Sequence, residues 1–273
     1  MDTWNSTTRA YVAGFFDAEG CIKHSNGWPQ AAIAQTDYRP IQMIADHLSI
    51  SLYFTKPNVK KNTKPIYTVS VSGTKLHQLM YEILPYLRNK RKQAELVLDG
   101  GPSNLRLSRP NIRLLQDLNK IGLEGAPFSL PEQATASRIS VSWSQEDSAY
   151  YAGFFDGEGC VTYRRPDSAS PIIYITVTQV NPDILLSIST TFGVRVCQHN
   201  NLTRPRQRRF CSVQLFGDKA YVFLTLLRPY LLVKSEQADI FLNSYDSRDT
   251  FCLRDAVEEL RMLNAKGLIQ KAA

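Results

Sequence analysis

The sequence predicts an α+β fold made of two copies of one unit, and three observations carry that prediction. First, the nine residues AGFFDAEGC at 13–21 return as AGFFDGEGC at 152–160. Second, the match extends along the chain at nearly constant spacing. Tyr11, Gly14, Phe15, Phe16, Asp17, Glu19 and Gly20 recur 139 residues later as Tyr150, Gly153, Phe154, Phe155, Asp156, Glu158 and Gly159. The spacing then becomes 144, pairing Gln35 with Gln179, Gly73 with Gly217, Lys75 with Lys219, Lys90 with Lys234, Gln93 with Gln237 and Ala94 with Ala238. Third, each copy runs through the same succession of hydrophobic periods: helix, two strands, helix, two strands, then helices. The five extra residues of the second copy fall in the loop at 164–171. The predicted units are 1–125 and 144–273. Pro127, Pro131 and the polar run at 132–140 mark a linker over 126–143.

The elements follow in order. Ser and Thr residues at 6–8 are capping candidates for an apolar helix over 6–18. In the second copy Ser144 and Asp147 have capping-box spacing ahead of the same helix. CIKHS (21–25) and QAAIAQT (30–36) read as strands joined by a turn holding Asn26, Gly27 and Pro29. CVTYR (160–164) and IIYITVTQV (172–180) are richer in β-branched and aromatic residues. RPIQMIADHL (39–48) and NPDILLSISTTF (181–192) have helical spacing and begin near proline. The next hairpins are predicted from LYFTKPNVKK with IYTVSVSG, and from VRVCQHNN with RRFCSVQLFG. Amphipathic helices at 74–87 and 218–231 end near their prolines, and KRKQAELVL and KSEQADIFL begin another helix in each copy.

Composition narrows the class. A chain of 273 residues, 43% hydrophobic and 21% charged, has the make-up of a globular protein. The net charge of +7 permits a nucleic-acid partner without requiring one. The cysteines (Cys21, Cys160, Cys197, Cys211, Cys252) are odd in number and form no CxxC pair, so they read as reduced thiols of an intracellular protein. No apolar run approaches the length of a bilayer span, and the N-terminus lacks the pattern of a secretory signal, so no membrane partner is expected.

The repeated helix poses the functional question. Ala10, Gly14 and Ala18, and likewise Ala149, Gly153 and Gly157, form stripes of small residues at four-residue spacing. Such stripes let two backbones approach closely, and each is the natural partner of the other. Side-by-side packing brings Glu19 and Glu158 together at two helix C-termini. A carboxylate opposing the helix dipole costs about 0.3–1 kcal/mol. Two carboxylates at roughly 5 Å repel by about 3 kcal/mol at an effective dielectric near 20. A hard divalent cation relieves both terms, so the sequence points to a Mg²⁺ site on a pseudo-twofold axis, with Mn²⁺ or Ca²⁺ able to replace it for binding. Two such acids can serve two phosphates, one on each DNA strand.

VAGFFDAEG (12–20) and YAGFFDGEG (151–159) resemble the LAGLIDADG motif. With a Gln on a following strand and a K-x-x-Q-A helix start in each copy, the whole chain resembles a single-chain, two-repeat LAGLIDADG homing endonuclease. The resemblance implies two pseudo-twofold related αββαββα domains, whose β-sheets form a saddle over DNA. It implies metal-dependent hydrolysis of both strands of a long, nearly non-palindromic target, leaving 3′ overhangs, by a monomer. By position, Glu19 and Glu158 match the metal-binding acids, with the carbonyls of Ala18 and Gly157 completing the metal shells. Gln35 and Gln179 match the solvent-organising amides, and Lys90 and Lys234 the basic residues near the scissile phosphate. Gly14, Asp17, Gly153 and Asp156 match structural positions of the motif.

Strand alternation places Lys23 and Ser25 on one face with Glu19, and Thr162 and Arg164 on one face with Glu158. The neighbouring strands offer Trp28 and Gln30, then Tyr174 and Thr176. The second hairpins offer Lys60, Asn62, Tyr67 and Val69 in one copy, then Gln198, Asn200, Cys211 and Val213 in the other. Both hairpin turns are basic, with Lys60, Lys61 and Lys64 in one and Arg204, Arg206, Arg208 and Arg209 in the other. Arg and Gln suit base edges, and turn lysines suit phosphates. The alternatives are a maturase that binds its host intron RNA on the same scaffold, and a DNA-binding protein that does not cut. An organelle (chloroplast or mitochondrion) and a bacterial cytoplasm are equally compatible locations.

Overall fold

The computed structural model describes residues 4–56, 64–101, 105–120, 139, 141–168, 170–199, 210–247 and 250–265. The first repeat runs α1 (Ser6–Glu19), β1 (Gly20–Ser25), β2 (Trp28–Gln35), α2 (Tyr38–Leu48), β3 (Leu52–Thr55), β4 (Ile66–Ser72), α3 (Gly73–Ile83), α4 (Arg91–Leu98) and α5 (Arg109–Lys120). The second runs α6 (Gln145–Glu158), β5 (Gly159–Arg164), β6 (Ile172–Gln179), α7 (Asp183–Phe192), β7 (Val196–His199), β8 (Phe210–Phe216), α8 (Gly217–Leu227), α9 (Ser235–Ser247) and α10 (Thr250–Ala265). A 3-10 turn at Arg228–Tyr230 follows α8. Each repeat builds one antiparallel four-stranded sheet, ordered β1-β2-β4-β3 and β5-β6-β8-β7. Among the described residues no helix is long and apolar enough to cross a membrane.

Local chemistry explains the element ends. α6 starts with the expected capping box: the Asp147 N–H donates to Ser144 Oγ at 3.0 Å and the Ser144 N–H donates to Asp147 Oδ2 at 3.1 Å. α1 starts at Ser6 as expected, but its cap lies one residue upstream of the Ser/Thr candidates. Asn5 is the cap, its side chain accepting from the Thr8 N–H at 2.8 Å, and Ser6, Thr7 and Thr8 lie inside the helix. Asn5-Ser6-Thr7-Thr8 offers four consecutive residues able to cap, so propensity alone does not choose among them. The hairpin between β1 and β2 turns at Asn26 and Gly27, with φ of 51° and 85°. That pair of positive φ values suits the right-handed twist of a tight two-residue turn.

The two repeats meet along α1 and α6. A Cβ built on Gly14 falls 1.9 Å from the Tyr150 carbonyl oxygen, and one built on Gly153 falls 2.0 Å from the Tyr11 carbonyl oxygen. Each glycine thus lets the opposite helix backbone sit where its side chain would be, and the contact is reciprocal across the pseudo-twofold axis. Phe15, Phe16, Phe154 and Phe155 turn inward and are fully buried, each contributing about 1.5–3 kcal/mol by burial. The motif aspartates lock the same seam. Asp17 accepts from the Tyr150 hydroxyl at 2.6 Å and Asp156 from the Tyr11 hydroxyl at 2.8 Å.

Of the expected linker, residues 126–138 and 140 lie outside the described residues. Its end packs against the core through Ile139, Val141 and Trp143. Trp143 stacks on Tyr151 at 4.0 Å, and Trp4, 139 residues earlier, stacks on His47 at 3.8 Å. The repeat therefore extends upstream of the helix in both copies.

Candidate active site

α1 and α6 end side by side at Glu19 and Glu158, because their small stripes hold them in contact down to the last turn. A Cβ on Gly157 would lie 2.3 Å from the Ala18 Cβ and 3.1 Å from Glu19 Cγ. Two clefts open at this end. One, of about 410 Å³, is lined by Glu19, Gln35 and Arg39 of the first repeat and by Gly157, Lys234 and Gln237 of the second. The other, of about 780 Å³, is lined by Glu158, Gln179 and Asp183 of the second repeat and by Ala18, Lys90 and Gln93 of the first. The clefts match position for position. Each takes its Glu and Gln from one repeat and its Lys from the other.

The side chains are held from several directions. Gln35 Nε2 donates to Glu19 Oε1 at 2.9 Å, and its own Oε1 accepts from the Thr36 N–H at 2.7 Å. Gln179 repeats this with Glu158 Oε1 at 3.3 Å and the Val180 N–H at 2.7 Å. The backbone N–H therefore fixes which end of each amide meets the carboxylate. Asp17 gathers the segment before α4, accepting from the N–H groups of Arg88 at 2.8 Å, Asn89 at 3.0 Å and Lys90 at 2.7 Å. Asp156 does the same before α9 with Leu232 at 2.8 Å, Val233 at 3.0 Å and Lys234 at 2.9 Å. Each inner acid thereby sets the helix start from which its repeat's lysine reaches the cleft. Lys90 Nζ donates to the carbonyls of Phe16 and Asp17, and Lys234 Nζ to that of Asp156. An ammonium there also offsets the negative end of the helix.

Electrostatically the site is short of positive charge. Burial pushes the Glu19 carboxyl above the usual carboxylate range, against the pull of Lys234, Lys90 and the Gln35 hydrogen bond. Burial, and then the neighbouring Glu19 charge, push Glu158 up to about 7, against Lys90 and Lys234. Each acid feels the lysine of the opposite repeat more strongly, in keeping with the mixed make-up of the clefts. Burial in turn lowers both lysines, against the pull of Asp17 on Lys90 and of Asp156 on Lys234.

The donor set fits a hard cation. Glu19 and Glu158 supply carboxylate oxygens, and Ala18 and Gly157 each line a cleft at the helix ends. Among the described residues no three His, Cys, Asp or Glu side chains gather as a metal cage. Two carboxylates with open positions for water and phosphate suit Mg²⁺, which keeps several waters, better than an ion that takes an all-protein cage. Cys21, Cys160, Cys197 and Cys211 are free thiols.

The outer sheet faces place the other candidates. In β1 and β2, Cys21, Lys23, Ser25, Trp28, Gln30 and Ala32 share the face turned from the core, and Trp28 is 51% exposed. In β5 and β6, Thr162, Arg164, Tyr174 and Thr176 do the same. Tyr67 and Gln198 do not: they lie on the opposite face, in line with buried Val69 and with buried Cys211 and Val213. A one-residue slip in parity put Tyr67, Val69, Gln198, Cys211 and Val213 on the wrong face. The apolar positions 69 and 71, and 211, 213 and 215, must point to the core, so the outer face carries Thr68, Ser70 and Ser72, then Ser212, Gln214 and Phe216. That alternation was available in the sequence. Cys197 and His199 lie on the outer face of β7, where His199 Nε2 is 2.7 Å from Ser212 Oγ. Lys60, Asn62, Asn200, Arg206 and Arg208 lie outside the described residues.

Arg88 also escaped the sequence reading. Its guanidinium pairs with Asp147 at 2.5 Å, donates to the Tyr151 hydroxyl at 2.8 Å and lies 4.2 Å from the Tyr150 ring centroid. It pins the segment before Lys90 to α6. Leu232 and Thr8 stand at the matched positions, so comparing the repeats could not reveal this contact.

Paired sheets, a glycine-packed helix seam and two acids at its end define a class. Residues 6–84 match the family model of the LAGLIDADG-like domain, and the whole chain has the two-domain fold of single-chain LAGLIDADG homing endonucleases. It superposes on the LAGLIDADG meganuclease I-AabMI bound to uncleaved DNA with a TM-score of 0.62 at 18% identity, covering 94% of this chain and 98% of that one. For the homing endonuclease I-GzeII in complex with its DNA target the TM-score is 0.60 at 15% identity, covering 94% and 97%. For I-LtrWI bound to target DNA it is 0.60 at 17% identity, covering 96% and 98%. No curated protein sequence matches the chain.

Proposed function

We propose that this protein is a site-specific DNA endonuclease of the homing type, cutting both strands of a long, nearly non-palindromic duplex as a monomer. The observation that carries this reading is the pair of matched clefts, each joining the Glu and Gln of one repeat to the Lys of the other. One chain then holds two half-sites related by a pseudo-twofold axis, the symmetry that two antiparallel strands present. That the solved structures sharing the fold are described as homing endonucleases bound to DNA supports the same reading.

In this reading Glu19 and Glu158, with the carbonyls of Ala18 and Gly157, hold Mg²⁺. When bound, the ion neutralises the two carboxylates and lowers the pKa of an attacking water. The chain's own groups do the rest. Gln35 and Gln179 fix the carboxylate rotamers and order the solvent beside them. Lys234 and Lys90 place ammonium groups where negative charge develops on each scissile phosphate. The outer faces of β1, β2, β5 and β6 contact the major groove, and the two strands are cut across the adjacent minor groove, leaving 3′ overhangs. The two outer faces differ residue by residue, which is why the target is a poor palindrome.

The test is selection of a target from a randomised duplex library with Mg²⁺ present, followed by incubation of the purified chain with that target. The expected result is one double-strand break at a fixed position, lost on chelation. A tightly bound site that no divalent ion causes to be cut would overturn the endonuclease reading and leave a binding protein.

A further inference from the structure

The outer face of the second sheet carries a prebuilt cluster with no counterpart in the first. Tyr174 on β6 and Phe216 on β8 are directly paired and stack with ring centroids 4.9 Å apart. The Arg164 guanidinium lies over them, 4.6 Å from the Tyr174 centroid and 5.4 Å from that of Phe216. Its Nη2 donates to Gln214 Oε1 at 2.8 Å. Stacking and one hydrogen bond thus fix the plane of the guanidinium while leaving most of its N–H groups for a ligand. β6 and β8 are the two central strands of the sheet. Arg164 ends the edge strand β5 and Phe216 ends β8, so the group lies on the outer face beside the β5–β6 connection, at the opposite end of β8 from the basic turn that joins it to β7. At the matched positions the first sheet has Ser25, Gln30, Ser70 and Ser72.

We propose that Arg164 is a specificity-determining residue that reads a guanine in the major groove of one half-site, oriented by Gln214 and the Tyr174–Phe216 stack. The proposal rests on the DNA reading above. A guanidinium fork matches the O6 and N7 acceptors of guanine, and no other base edge offers two acceptors in that arrangement. Holding the fork in place beforehand removes much of the ordering cost of binding. The first sheet has three serines and Gln30 there and no guanidinium, so the equivalent position of the other half-site lacks this demand for guanine.

The experiment is a binding selection on a randomised duplex library, with the full chain and Ca²⁺, for wild type, Arg164→Lys and Gln214→Leu. Arg164→Lys keeps the charge and removes the fork. The expected result is a fixed G·C pair at one position for wild type. Arg164→Lys should flatten that position alone, with roughly tenfold weaker binding to the wild-type consensus, and Gln214→Leu should do so in part. All three proteins should melt alike, since the cluster lies on the outer face. An Arg164→Lys change that weakens all sequences equally, or alters no position, would overturn the proposal and assign Arg164 to phosphate or to neither. A wild type that selects no sequence would instead remove the DNA reading on which it rests.

Discussion

Glu19→Gln and Glu158→Gln are each expected to abolish double-strand cleavage, lowering the rate by at least about 10³-fold, while target binding survives. The amide is isosteric with the acid and keeps an oxygen toward Gln35 or Gln179, so the local fold persists. What it removes is the charge that, in the proposed function, holds the cation. A second consequence separates this account from simple misfolding. The Glu158 carboxyl is pushed up to about 7 in the folded chain by burial and by Glu19, well above its value in an unfolded chain. A raised folded pKa favours folding fully below the unfolded pKa, and that contribution is lost as pH rises through about 7. Above that pH the metal-free protein carries the charge at a cost. In chelator at pH 8, therefore, Glu158→Gln should melt at or above the wild-type temperature. A variant both inactive and less stable there would point to a structural role for Glu158.

Gly153→Val is expected to have the largest effect on stability. The first added atom would sit 2.0 Å from the Tyr11 carbonyl oxygen and 2.9 Å from the Phe15 nitrogen. Both are backbone atoms of α1, which is itself held by buried Phe15 and Phe16, so neither can give way cheaply. Overpacking of this kind costs about 3 kcal/mol or more, a large share of the roughly 5–15 kcal/mol that holds a domain together. Gly73→Ala is the control: its φ of 61° makes a side chain strained, but nothing lies within 4 Å of an added Cβ, so about 1 kcal/mol is expected. Thermal unfolding of the three proteins should show Gly153→Val melting far below Gly73→Ala. Equal melting temperatures would mean that α1 and α6 do not meet as closely as described.

The seam and the acids were legible in the sequence because the chain states them twice. Gly14 with Gly153, Glu19 with Glu158, and Lys90 with Lys234 each occur at a fixed spacing, and a repeated small stripe has few uses other than close helix contact. What occurs once was not legible. Arg88 has Leu232 at its matched position and Asp147 has Thr8, so this ion pair between the repeats left no echo. The second hairpins misled for a different reason. β3 and β7 are only four residues long, and strands this short give a weak alternation, whereas the longer β4 and β8 carry the parity. The mixed origin of each cleft depends on where Asp17 and Asp156 hold the starts of α4 and α9, at the end of the helix seam. No local pattern predicts that packing. The sequence named the residues that line the two clefts, but not which lysine faces which acid.

That pairing of acid and lysine across the repeats is the centre of this account, and strand-resolved cleavage tests it most directly. A plasmid bearing the selected target would be incubated with wild type, Lys90→Met and Lys234→Met, and the nicked strand identified by end-labelling. Met matches the length and the apolar stem of Lys and lacks its charge. The account predicts linear product from wild type, a nick in one strand only from Lys90→Met, and a nick in the opposite strand only from Lys234→Met. If both variants spare the same strand, or if either change stops or spares both strands together, the two clefts do not act as separate half-sites.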